Sequence, residues 1–127
     1  MHDARPKARE TKLQYLLMIY GEEGAWNKMP EAAQREGIAA YMAYGEALQK
    51  AGKLINSNRL RDSVDATRVT VANGKTKVQD GPYADTKEQL GGYYLIEAKD
   101  LDEAISWAAR CPGASHGIME VRPVWEM

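Results

Sequence analysis

The sequence predicts an α+β fold in which one antiparallel sheet carries two helices on a single face. Three observations predict it. Short stretches of alternating or continuous apolar residues read as strands, and two longer stretches carry apolar residues at three- and four-residue spacing. Their order along the chain is strand, helix, strand, hairpin, strand, helix, strand, a βαββαβ core with one added hairpin. The length of 127 residues suits one domain, placed at residues 12–127 behind a charged tail over residues 1–11 that has no apolar core and so is no secretory signal.

In KLQYLLMIY, residues 12–20, apolar side chains alternate on both faces: Leu13, Tyr15, Leu17 and Ile19 on one, Leu16, Met18 and Tyr20 on the other. Such a strand must be covered on both sides. GEEGAWNKMP reads as a loop, and Pro30 suits the first position of a helix running to Ala51, with Ile38, Tyr41, Met42, Gly45 and Leu48 on its inner stripe. Gly52 is a natural stop. LINSNRL, residues 54–60, reads as a polar strand. Strands at 67–72 and 75–79 flank Asn73-Gly74, the dipeptide of a type I′ hairpin turn.

DGPYADTKEQLGG, residues 80–92, reads as a loop with one helical turn, followed by a strand at YYLIEA. Asp100 and Glu103 resemble a capping box opening a helix over 101–110 that buries Leu101, Ala104, Ile105 and Ala108. Pro112-Gly113 ends it, ASHG is a loop, and IMEVRPVW is the last strand. Two helices cover only one face of this sheet. The first strand and YYLIEA are apolar on both faces, so the second face calls for a cover, and the same sheet of a second copy supplies one as a two-fold homodimer.

Composition narrows the function. Net charge is −1, from 17 basic and 18 acidic residues, which speaks against nucleic acid as partner. No apolar run approaches the ~18 residues that span a bilayer, so no membrane partner is expected. The single Cys111, at a helix C-terminus that disfavours a thiolate, reads as structural and fits a reducing cytoplasm. Gly91-Gly92 lies in no phosphate-binding pattern, and one structured histidine with scattered carboxylates makes no metal site, so neither cofactor nor metal is expected.

Residues able to carry chemistry fall in two groups. His116, in a Gly-flanked loop, is a candidate general base, with Asp80 or Glu88 to orient it; the alternative is a solvated loop histidine. Asp80, Asp85 and Glu88 crowd carboxylates on one short segment, either for acid–base work or as an acidic rim that includes Lys87. Tyr83 adds a hydroxyl to the turn. Glu120 and Arg122 share a face of the last strand with Ile118 and Val124, against Met119, Val121 and Trp125 on the other. Facing the space between the sheets, they form a salt bridge within or across the dimer, or Arg122 receives an anionic ligand through its planar fork. Tyr15 and Tyr94 are expected to line the same space, as packing or as a cradle.

The stretch DGPYADTKEQLGGYYLIEAKDLDEAISWAARCP together with the terminal GIMEVRPV resembles the DGPF subgroup of the YCII-related proteins, small bacterial domains. The resemblance, from about Leu13 to Trp125, implies a ferredoxin-like fold of the dimeric α/β-barrel type. The subgroup commonly has Phe where Tyr83 stands. It implies a regulatory association with extracytoplasmic-function sigma factors, and other relatives resemble lyases with a His–Asp pair. Their histidine falls on the first helix, near Tyr41 here; this helix holds no histidine, and His116 enters from another element. Two functions are therefore expected in competition. One is a small lyase, isomerase or hydrolase acting on an anionic or aromatic acid through His116, Asp80 and Glu88. The other is a non-catalytic ligand- or protein-binding module tied to sigma-factor-dependent transcription.

Overall fold

In the computed structural model, which describes residues 13–81 and 87–126, a four-stranded sheet is built on β1 (Leu13–Glu22) and β5 (Glu88–Ala98), flanked by β2 (Leu54–Arg59) and β6 (Ile118–Pro123). The order is β2-β5-β1-β6 and every neighbouring pair is antiparallel, the arrangement of a ferredoxin-like βαββαβ sheet. Helices α2 (Glu31–Lys50) and α3 (Leu101–Arg110) join the strands, with the short helices α1 (Ala25–Lys28) and α4 (Gly113–His116) at their flanks. Strands β3 (Thr67–Ala72) and β4 (Lys75–Asp80) make a separate two-stranded sheet.

Local chemistry explains most boundaries. Asn73 and Gly74 both have positive φ, 53° and 75°, as a type I′ turn requires. Asp100 caps α3 by accepting from the Glu103 N–H at 2.9 Å, while the Glu103 carboxylate accepts from the Lys99 N–H at 2.7 Å. Lys53 reaches the same carboxylate at 3.1 Å, tying the start of β2 to α3.

The core lies between the sheet and α2 and α3. It contains Tyr15, Leu17, Ile96 and Ala98 from the sheet, Tyr44 and Leu48 from α2, and Ala104, Trp107, Ala108 and Cys111 from α3 and its end. Tyr44 Oη donates to the Trp107 carbonyl at 2.8 Å, so the two helices are tied by a buried hydrogen bond. Burial pushes the Cys111 thiol pKa up, which keeps it protonated and inert.

Several expectations change. β5 begins at Glu88 rather than Tyr93, because the chain passes through Gly91 and Gly92 as strand; Gly91 is left unpaired where β1 pairs Ile19 with Gly92 and Tyr20 with Leu90. A Cβ on Gly92 would stand 3.0 Å from the Asn58 carbonyl, so glycine permits this close approach. GAWNKMP contains the short helix α1, and ASHG ends the short helix α4 rather than forming a loop. On α3 the buried stripe is Ala104, Trp107 and Ala108, while Leu101 and Ile105 are exposed. The buried stripe continues at three- and four-residue spacing into Cys111, and this fixes the rotation of the helix. On α2, Ile38 and Met42 are exposed although they lie on the apolar stripe. The tail over residues 1–11 lies outside the described residues.

Candidate functional site

Ile38 and Met42 are exposed because they border a cleft. Its volume is about 690 Å³, within the range of small-molecule sites. One wall is the middle of α2, with Tyr41 and Gly45; the other is the helix-facing side of β1, β2 and β5 near Gly92. α1 closes one side with Trp26.

Each wall residue is placed by a local cause. Trp26 lies over Gly37 of α2, where a Cβ would come within 2.9 Å of the ring, so the missing side chain makes room for the indole. Gln34 Nε2 donates to the Trp26 carbonyl at 2.9 Å and holds the short helix against α2. Gly45 faces open space, with nothing within 4 Å of a built Cβ, so the cleft persists beneath the middle of α2. Tyr94 stands edge-on to Tyr44, ring centres 5.0 Å apart at 88°, which fixes its ring as a second aromatic wall.

Arg59 and Arg61 are the arginines of this cleft, and Arg59 lies against the aromatic wall. It pairs with Gly92 at the end of β2, and its guanidinium lies 5.3 Å from the centre of the Trp26 ring. It makes no ion pair or hydrogen bond through its side chain among the described residues. Arg61, also at the rim, is held by Asp65 at 3.1 Å. Among the rim carboxylates, Glu23 accepts from the Ser63 N–H and hydroxyl at 2.6 Å each, and Glu22 faces Lys87 at 4.0 Å. Asp62 also lies at the rim. Tyr41 is pushed up to about 12, chiefly by burial, with Cys111 adding to the rise and Arg59 opposing it. Tyr94 is likewise pushed up to about 12 by burial, then by Cys111 and Tyr41. Both phenols therefore stay protonated as hydrogen-bond donors.

Of the site residues singled out from the sequence, Tyr94 lines this cleft, and the other described ones lie elsewhere. His116 is the exposed last residue of α4, and its imidazole makes no hydrogen bond or ion pair among the described residues. Glu88 opens β5 opposite Glu22, and Ile118, just after His116, pairs with Tyr20. His116 and Glu88 thus flank the same end of β1 from opposite sides, without touching. Asp80 ends β4 and accepts from the Thr67 hydroxyl at 3.2 Å, a structural role in the hairpin. Tyr83 and Asp85 lie outside the described residues.

Glu120 and Arg122 sit on the sheet face away from the helices, opposite Met18 and Leu16, and are paired with each other. The expectation that Tyr15 and Tyr94 share that face does not hold. Tyr15 has the parity of Leu17 and is 4% exposed in the core, and Tyr94 packs on Tyr44 beneath α2. Met119 and Val121 do lie under the helices, but Trp125, beyond the end of β6, is 86% exposed.

Trp26, Arg59 and Gly37 were not singled out from sequence, and Gly45 was placed only on the apolar stripe of its helix. The available signal was the pair Gly37 and Gly45 in an otherwise good helix, since glycine inside a helix calls for a packing reason. Among the described residues no group of three or more His, Cys, Asp or Glu is placed to hold a metal, and no helix is long and apolar enough to cross a membrane.

Comparison with known proteins agrees with this architecture. The chain is 40% identical over 116 residues to an uncharacterized protein of Rhizobium meliloti (strain 1021), an alignment covering 87% of this chain and 90% of that protein. The profile of the YCII-related domain matches residues 13–127. The chain belongs to the YCII-related domain family.

Proposed function

We propose that this protein binds a small organic molecule in the cleft between α2 and the helix-facing side of the sheet. The observation that carries the proposal is an apolar, aromatic-walled cleft of about 690 Å³ that is kept open by Gly45 and reached by Arg59. The binding module is favoured over acid–base catalysis by His116, Asp80 and Glu88, because the imidazole touches neither carboxylate and Asp80 is engaged with Thr67. The test is an amide NMR titration with indole as a neutral aromatic probe. Indole shifts the signals of Gly45, Gly91 and Gly92 in the parent, and Gly45→Leu abolishes the shifts while the protein stays folded. Leucine gains helix propensity over glycine and projects into the cleft, so a Gly45→Leu variant that binds indole unchanged overturns the proposal.

A second reading concerns assembly and the DGPF subgroup. Leu16, Met18 and Leu95 lie on the sheet face opposite the helices, Ile118 beside them is 53% exposed, and Trp125 stands out at the edge. This apolar face supports a homodimer formed sheet to sheet, with the Glu120–Arg122 pair at the contact. Light scattering on the full chain reads a dimer mass; a monomer at tens of micromolar defeats this reading. Leu16→Lys splits the dimer without unfolding the protomer.

A further inference from the structure

We propose that the ligand of this cleft is a planar carboxylate, anchored by Arg59 and stacked beside Trp26; this rests on the cleft being the binding site. The argument is one of unmatched polar groups. Arg61, Glu23 and Glu22 at the rim each have partners in the fold, whereas Arg59 has none for its fork of donors among the described residues. Arg59 is solvent-exposed, and what singles it out is its place at the cleft, with its guanidinium 5.3 Å from the centre of the Trp26 ring. A guanidinium held near an indole by its charge keeps its donors available, and two parallel donors match the two oxygens of a carboxylate.

The surrounding walls select the rest of the ligand. Tyr41 lines the cleft with its ring, while its hydroxyl lies beside Gly113 at the start of α4, so the anionic group is left to Arg59. Trp26, Tyr41 and Tyr94 present rings, and Gly92 next to Arg59 presents no side chain at all, so a flat body fits better than a branched one. Asp62 at the rim is the opposing charge. It disfavours polyanions such as phosphates more than a single carboxylate, since repulsion grows with the ligand charge.

The experiment compares benzoate with its neutral isostere benzamide by NMR titration of the parent, Arg59→Met and Gly45→Leu. Benzoate is expected to bind the parent about tenfold or more tightly than benzamide, because a charged hydrogen-bond pair in a partly dry site is worth that much. Arg59→Met removes this advantage, weakening benzoate by about tenfold or more and benzamide much less. Equal affinity for the two probes in the parent, or an equal loss of both in Arg59→Met, overturns the carboxylate assignment. A parent that binds indole but not benzoate also overturns it while leaving the cleft as the binding site. Gly45→Leu, which blocks every probe, reads the cleft separately from its charge preference.

Discussion

Gly37 of α2 lies directly beneath the Trp26 ring, close enough that a single added methyl would stand 2.9 Å from Cζ3. That contact sets the position of the aromatic wall on which Arg59 rests, 5.3 Å from the ring centre. Gly37→Ala therefore separates folding from binding. Replacing a helical glycine with alanine gains up to about 1 kcal/mol in helix propensity. Against this stands displacement of the outer edge of one side chain on a short helix, which the ring relieves by tilting. The variant is expected to unfold within about 1 kcal/mol of the parent, yet to bind indole and benzoate less well. Urea melts and the NMR titration read the two effects; undiminished probe binding would show that Trp26 does not shape the cleft.

Tyr44 joins the two main helices. Its hydroxyl donates to the Trp107 carbonyl at 2.8 Å, and its ring meets Tyr94 and Trp107 edge-on, with centres 5.0 and 6.4 Å away. Tyr44→Phe keeps the ring contacts and deletes one buried hydrogen bond, with an expected cost of about 1 kcal/mol. Urea unfolding should show a lower midpoint at unchanged slope, the mark of lost stability without a change in exposed surface. A parent-like midpoint would mean that the bond contributes nothing net.

These examples show which features were legible in sequence. Asn73-Gly74, Gly52 and the Asp100–Glu103 cap were readable because each is decided by a few adjacent residues. The doubly apolar β1 was readable because strand parity is fixed by the pleat. The cleft was not, since Trp26, Tyr41, Arg59 and Tyr94 come from four elements and meet only once α2 has docked. Tyr15 shows a subtler limit. Its parity with Leu17 was visible, but which face the helices would cover was not, and that choice decides whether a strand tyrosine is core or interface. His116 drew notice as a lone structured histidine, yet a residue type with catalytic capacity says nothing of its neighbours until the chain brings some to it.

Two glycines make opposite predictions. A Cβ on Gly117 would stand 2.1 Å from the Tyr20 carbonyl, a backbone atom within the β1–β6 ladder that has no freedom to yield. Gly117→Ala must push α4 and β6 away from β1, and a loss of more than about 2 kcal/mol is expected. Gly45, by contrast, meets nothing within 4 Å, so Gly45→Ala should gain up to about 1 kcal/mol from helix propensity alone. Thermal melts of the two variants should move in opposite directions. A Gly117→Ala protein as stable as the parent would contradict the close passage of the chain at the start of β6.

Alkaline titration probes the cleft wall without a ligand. Tyr41 and Tyr94 are pushed up from 10.0 to about 12, first by burial and then by Cys111. Tyr44 moves in the same direction through burial, more strongly. Above pH 10 the unfolded chain releases these phenolic protons while the folded chain retains them, so the unfolded state is favoured as pH rises. The stability these groups contribute is full below pH 10 and is lost as the pH climbs toward 12. Absorbance near 295 nm should therefore show Tyr41 and Tyr94 ionising only together with the loss of the far-ultraviolet helix signal. Tyr94→Phe, which removes a hydroxyl without a hydrogen-bond partner among the described residues, should shift that unfolding to higher pH. If every tyrosine titrates near pH 10 with the helix signal intact, the rings are wetter than this packing allows, and the aromatic wall of the cleft is not closed around them.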